Sequence, residues 1–159
     1  MDPDKLRYHA HQAALYLDHV RGMGVQVKML NYSIAELEAK AEGVSALDYS
    51  KDNVQTSPTD SAMPNAVSEL IEQKRDREAK RDLYADELAA VTRAFERMPN
   101  KTYAAILDAH YIGEASWKQI AAEYPMSKRG IMKVRQKALA MFYDYMPPSQ
   151  RFIDVPKAI

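Results

Sequence analysis

From Leu6 onward apolar residues return every three or four positions: Leu6, Ala10, Ala13, Leu17 and Val20. After a slip of phase near Gly22 and Gly24 the pattern resumes with Met23, Val27, Leu30, Ile34, Leu37, Ala41 and Val44. A 3.6-residue period with polar residues between predicts one long amphipathic helix, bent or broken at the glycines. Asp2 before Pro3 supplies its N-cap and first turn. So narrow a stripe, held over so many turns, belongs to a coiled coil more than to a globule.

"EGVSALDYSKDNVQTSPTDSAMPN" then breaks the period with Ser, Asp, Asn, Thr and Pro, which predicts a loop over about 45–62. A second helix is expected to start near Ser57-Pro58 or Met63-Pro64 and to run to Met98. Its stripe is Met63, Val67 and Leu70, then Tyr84, Leu88, Val91, Phe95 and Met98. Between them "EQKRDREAKRD" puts Lys74, Arg77 and Arg81 on seam positions, unless the phase shifts to Ala79 and Leu83. The simplest reading of that stretch is a solvated charged face. Together the two helices predict an antiparallel hairpin over 1–98 that buries little surface alone and therefore homodimerises through these N-terminal helices.

Three shorter patterns follow in 99–146. "KTYAAILDAHYI" carries Tyr103, Ile106, Leu107 and Tyr111 on one side, with Asn100 as cap and Gly113 as stop. Ser116 and Gln119 form a capping box for "WKQIAAEY", which Pro125 ends. Ser127 caps a helix from Lys128 to about Tyr145, stopped by Pro147-Pro148, and the tail 147–159 is expected to be extended. The fold class is all-α.

Charge sharpens the division. Lys and Arg balance Asp and Glu at 22 each, yet residues 1–98 are net −4 and residues 99–159 net +4. A polyanion partner would meet the basic C-terminal third. With no cysteine, disulfides and thiolate metal sites are excluded. The charged start "MDPDKLRYHAHQ" is unlike a signal peptide, and no uncharged apolar run reaches the roughly 18 residues of a membrane span, so a cytoplasmic protein without membrane contact is expected.

A short helix, a tight turn and a longer basic helix predict a helix-turn-helix. Ile120, Ala121 and Tyr124 would face Met126, Ile131, Val134 and Ala138, although Pro125 stands where such turns usually place glycine. Projected at about 100° per residue, the last helix turns Ile131, Val134, Ala138, Met141 and Phe142 inward. Lys128, Arg129, Met132, Lys133 and Gln136 face outward as base-reading candidates, since Arg and Lys suit guanine and Gln suits adenine. Arg135 and Lys137 flank them as phosphate contacts, with Ser127 at the helix start and Ser116, Trp117 and Lys118 opening the preceding helix. Trp117 also falls at core spacing. The five positive charges of 128–137 meet no acidic residue before Asp144, which fits counterions that are double-stranded DNA phosphates.

The stretch "AAILDAHYIGEASWKQIAAEYPMSKRGIMKVRQKAL" resembles region four of bacterial sigma factors. The whole layout is similar to phage-encoded transcriptional regulators of the autolysin-regulator type, with a long helical hairpin, a loop of the "DNVQTSPTDSAM" kind and a sigma-like helix-turn-helix. The resemblance covers roughly residues 5–142 in layout and implies a promoter-binding regulator of phage genes in a bacterial host. Pro125 and the tail after Tyr145 lie outside the common pattern.

Enzymatic chemistry finds no footing. His9 and His11 face different sides of a helix, His19 and His110 are isolated, and Glu36 and Glu38 share the spacing problem. No phosphate loop, nucleophile elbow or metal motif appears, so no catalytic residue, metal or cofactor is expected. Two alternatives remain beside the regulator. One is a phage small terminase subunit; the other is a sigma-like module that binds RNA polymerase without reading DNA.

Overall fold

The computed structural model describes residues 1–49 and 62–151. Among them the chain is all-α, with α1 (Pro3–Tyr49), α2 (Ala62–Arg97), α3 (Lys101–Tyr111), α4 (Trp117–Glu123) and α5 (Lys128–Tyr143), then a 3-10 turn at Pro148–Gln150. No helix among the described residues is long and apolar enough to cross a membrane. Asp2 caps α1, its carboxylate accepting from the Asp4 amide at 3.2 Å.

Two boundaries differ from expectation. α1 is not broken at Gly22 and Gly24. Each glycine costs about 1 kcal/mol against alanine, which the Leu-, Val- and Met-rich turns around them offset. α1 also continues to Tyr49, past the loop start expected at 45, because Ala46 and Leu47 are good helix formers. α2 begins at Ala62, beside the Met63-Pro64 signal, with proline in the first turn where its missing N–H does no harm. The Ser57-Pro58 signal lies outside the described residues.

The chain divides into two compact units, one of residues 1–24 with 86 to the C-terminus and one of 25–85. The division expected at residue 98 is not where the compact units part. The start of α1 and the end of α2 pack with the C-terminal helices, because their stripes meet the same apolar residues.

In the first unit Ala13, Leu17 and Val20 of α1 and Val91, Ala94 and Met98 of α2 pack with Leu107 and Tyr111 of α3 and with Ala138 and Phe142 of α5. Fully burying each large member contributes about 1.5–3 kcal/mol. Phe142 tilts against Phe95 at 5.2 Å and lies beside Tyr16 at 6.3 Å. The Tyr16 hydroxyl donates to Glu87 at 2.6 Å, and burial with that carboxylate pushes the phenol pKa well up. A smaller cluster joins Ile106, Ile120 and Ile131 of α3, α4 and α5.

Loop chemistry completes this unit. Asn100 caps α3 by accepting from the Tyr103 amide at 3.0 Å. At the other end Ile112 and Gly113 both donate to the Asp108 carbonyl, each at 2.9 Å. The left-handed residue here is Glu114, with φ 61°, not Gly113. Glycine is required at 113 for closeness instead, since a Cβ there would lie 2.8 Å from the Ala109 carbonyl oxygen. After α5 the first residues of the expected extended tail form the 3-10 turn at Pro148–Gln150. Arg151 donates to the carbonyls of Asp144 and Met146, at 2.6 and 2.9 Å, and lies over the Tyr143 ring, drawing the segment back. Residues 152–159 lie outside the described residues.

The second unit has far less core. Ile34 and Leu37 are its buried apolar residues among those described. Lys74, Arg77 and Arg81 are half-buried, while Ala79 and Leu83 are exposed, so the phase does not shift to them. Lys74 lies 3.0 Å from Glu38 and 3.6 Å from Glu78, and Arg81 donates to Asn31 at 3.3 Å. Pairing 38 with 74 and 31 with 81 makes these segments run in opposite directions. The Glu38 hydrogen bond, chief among the causes, raises the Lys74 pKa. Ion pairs this open to water add little stability.

Candidate nucleic-acid interface

Both helices at the basic end start with built caps. The Ser116 hydroxyl accepts from the Gln119 amide at 3.1 Å while the Gln119 side chain accepts from the Ser116 amide at 2.8 Å, the reciprocal pair of a capping box. The Ser127 hydroxyl accepts from the Gly130 amide at 3.0 Å. Pro125 shapes the connection. No residue between α4 and α5 has positive φ, and Tyr124, at φ −101° and ψ 52°, makes the bend. The Met126 amide then donates to Ala121 at 3.0 Å, closing a turn that needs no glycine.

α5 buries Ile131, Ala138 and Phe142, and leaves Val134 and Met141 half-buried. Leu139 and Ala140 are buried too, although the sequence projection did not turn them inward. The first half of α5 carries the charge. Lys128, Arg129, Lys133 and Lys137 are exposed, as is Lys118 on α4. None of these five has an ion-pair partner among the described residues.

The other candidates are placed differently from these five. Met132 is half-buried and, with Lys118, Ala121, Met126, Lys128 and Ile131, lines an apolar groove of about 500 Å³ between α4 and α5. Gln136 is half-buried in a shallow recess that also holds Ala10, Ala14, Arg135 and Leu139, so it is turned toward α1. Trp117 stacks on His110 with ring centres 4.2 Å apart. The Arg135 guanidinium also lies over the Trp117 ring, 5.2 Å from its centre. Arg135 is therefore half-buried rather than spread along the surface, and its Nε is buried without a hydrogen-bond partner. It also stands beside the Tyr111 hydroxyl, whose pKa burial pushes up against the pull of that cation. The hydroxyls of Ser116 and Ser127 are engaged in capping.

His110 is the residue that sequence reasoning undervalued. It is buried, its Nδ1–H donates to the Ala115 carbonyl at 2.7 Å, and its Nε2 faces Arg21 at 3.4 Å. Nε2 is thus the acceptor and the ring is neutral. Burial, ahead of the cations Arg21 and Arg135, lowers its pKa below 6.5. The stack Arg135–Trp117–His110 fastens α5 and α4 to α3. Its one sequence trace is the seven-residue spacing of His110 and Trp117, too common to single out.

No group of three or more His, Asp or Glu among the described residues is placed to hold a metal ion. Comparisons with protein families, with curated proteins and with solved structures find no match to this chain.

Proposed function

We propose that the chain is a DNA-binding transcriptional regulator, phage-encoded, in which α4 and α5 act as a helix-turn-helix and α5 enters the major groove. One observation carries this reading. Lys128, Arg129, Lys133 and Lys137 occupy the exposed side of a helix whose other side is buried, and no carboxylate among the described residues neutralises them. Such a field attracts a polyanion, and a helix so anchored is stiff enough to present side chains in fixed register. Arg129 and Lys133, one turn apart, would read base edges. Lys118, Lys128 and Lys137 would meet phosphates, while Arg135 and Trp117 hold the reading helix in place. The resemblance to sigma region four and to autolysin-regulator-type proteins supports a promoter as the target and a bacterial cytoplasm as the setting. The N-terminal helices would form the hairpin that pairs two copies.

The test is binding to labelled duplexes at several salt concentrations, for the wild type and for Arg129→Ala with Lys133→Ala. The double variant should lose on the order of 100-fold in affinity for its preferred sequence. Its plot of log affinity against log salt should flatten by about one to two contacts. Weak binding that wild type and variant share would overturn the reading.

The apolar groove favours a second reading, a sigma-like module that docks on RNA polymerase. Polymerase binding that survives the double substitution would favour it.

A further inference from the structure

α1 and α5 border a recess of about 310 Å³ whose polar lining is made of donors alone. His11 of α1 and Arg135 and Gln136 of α5 each bring N–H groups to it, and no carboxylate lines it. Arg135 has no ion pair among the described residues, and its Nε is buried without a hydrogen-bond partner. His11 and Gln136 have no hydrogen-bond partner among those residues either. Buried donors left unmet cost free energy until an acceptor reaches them. The guanidinium is meanwhile held in place by the Trp117 ring, 5.2 Å from its centre, and its donors lie in its planar edge.

The recess adjoins the reading face. At about 100° per residue, Met132, Gln136 and Leu139 stand about a quarter turn round α5 from Arg129, Lys133 and Lys137. A helix lying in a major groove has a phosphate strand along each flank. On this flank the strand runs past α1, where His11 is exposed and the small side chains of Ala10 and Ala14 let a backbone come close.

We propose that this recess is a phosphate site, in which Arg135, Gln136 and His11 hold one phosphodiester of the DNA backbone and α1 forms one wall of the interface.

The site deepens the reading of α5 as the groove-entering helix and rests on it. It gives Gln136, which is turned toward α1, a backbone contact in place of a base. A phosphate oxygen accepts from the Gln136 amide and the His11 imidazole, while Arg135 supplies the opposite charge. Such charge-assisted bonds are about twice as strong as neutral ones.

The test is binding to two duplexes, one selected for the wild type and one of random sequence. Arg135 stays in place, because it also packs over Trp117. His11→Ala and Gln136→Ala should each weaken both duplexes alike, on the order of 10-fold, at unchanged helicity. His11→Glu should cost more than either, and more than His19→Glu, an exposed position of α1 that does not line the recess. His11→Arg should tighten binding and steepen the salt dependence by about one contact. In ethylation interference, one phosphate that matters to the wild type should cease to matter to His11→Ala with Gln136→Ala.

Inorganic phosphate added at constant ionic strength should leave wild-type binding unchanged; displacement of the duplex by it would make this a small-anion site and overturn the assignment. A Gln136→Ala that alters base preference would also overturn it, since Gln136 would then read bases. If Arg129→Ala with Lys133→Ala abolishes binding while His11→Glu and Gln136→Ala do not weaken it, the DNA reading stands and this site falls. A wild type that binds neither duplex overturns both.

Discussion

The two units are built from the same two long helices yet are held by different chemistry. Around Leu17, the α1 and α2 stripes, Phe95 among them, meet Leu107 of α3 and Phe142 of α5, and the side chains are wholly or almost wholly buried. Around Leu37, the α2 stripe offers Lys74, Arg77 and Arg81, and the seam is closed by Glu38 and Asn31. Helical periodicity is alike in both. What differs is how many further helices bring apolar residues to the stripe, and burial energy scales with that surface, not with the period.

Matched truncations probe the contrast most strongly. Leu17→Ala should cost about 3–5 kcal/mol in denaturant unfolding, because Leu17 is fully buried in a cluster that α2, α3 and α5 share. Leu37→Ala should cost no more than about 2 kcal/mol, since the mobile ends of lysine and arginine side chains can refill the space. Equal losses would show that the 25–85 unit has as firm a core as the first.

Acidity comes next in size and acts on the first unit alone. His9 and His110 both have pKa values lowered chiefly by burial. Well above the unfolded value of about 6.5 both states are neutral, and these groups contribute nothing to the pH dependence. As pH falls through 6.5 the unfolded chain takes up the proton first, so stability falls until the lower folded pKa values are reached. Unfolding midpoints measured between about pH 7 and pH 5 should therefore drop for the wild type, and His110→Gln should flatten the slope. An unchanged slope would mean that His110 is hydrated in solution.

The smallest effect is in the seam. Arg81→Leu should stabilise the 25–85 unit by up to about 1 kcal/mol, read as slower hydrogen exchange over 25–44 and 65–85. Faster exchange would show that the Asn31 contact outweighs the apolar gain.

The sequence by itself determined the helices and most of their ends. Ser116 with Gln119, Ser127, Asn100 and Pro125 are local signals, and each acts on backbone groups within a few residues. It also determined where the charge lies, since a run of Lys and Arg is legible in one dimension. It did not reveal that residues 1–24 share a unit with α3 and α5, that Leu139 and Ala140 are buried, or that Arg135 packs over Trp117 beside His110. Those outcomes depend on pairs of residues far apart in the chain. The amphipathic stripe tells that a face will be covered, and only the tertiary structure decides by what, because apolar burial is non-directional and any face of the right width will do.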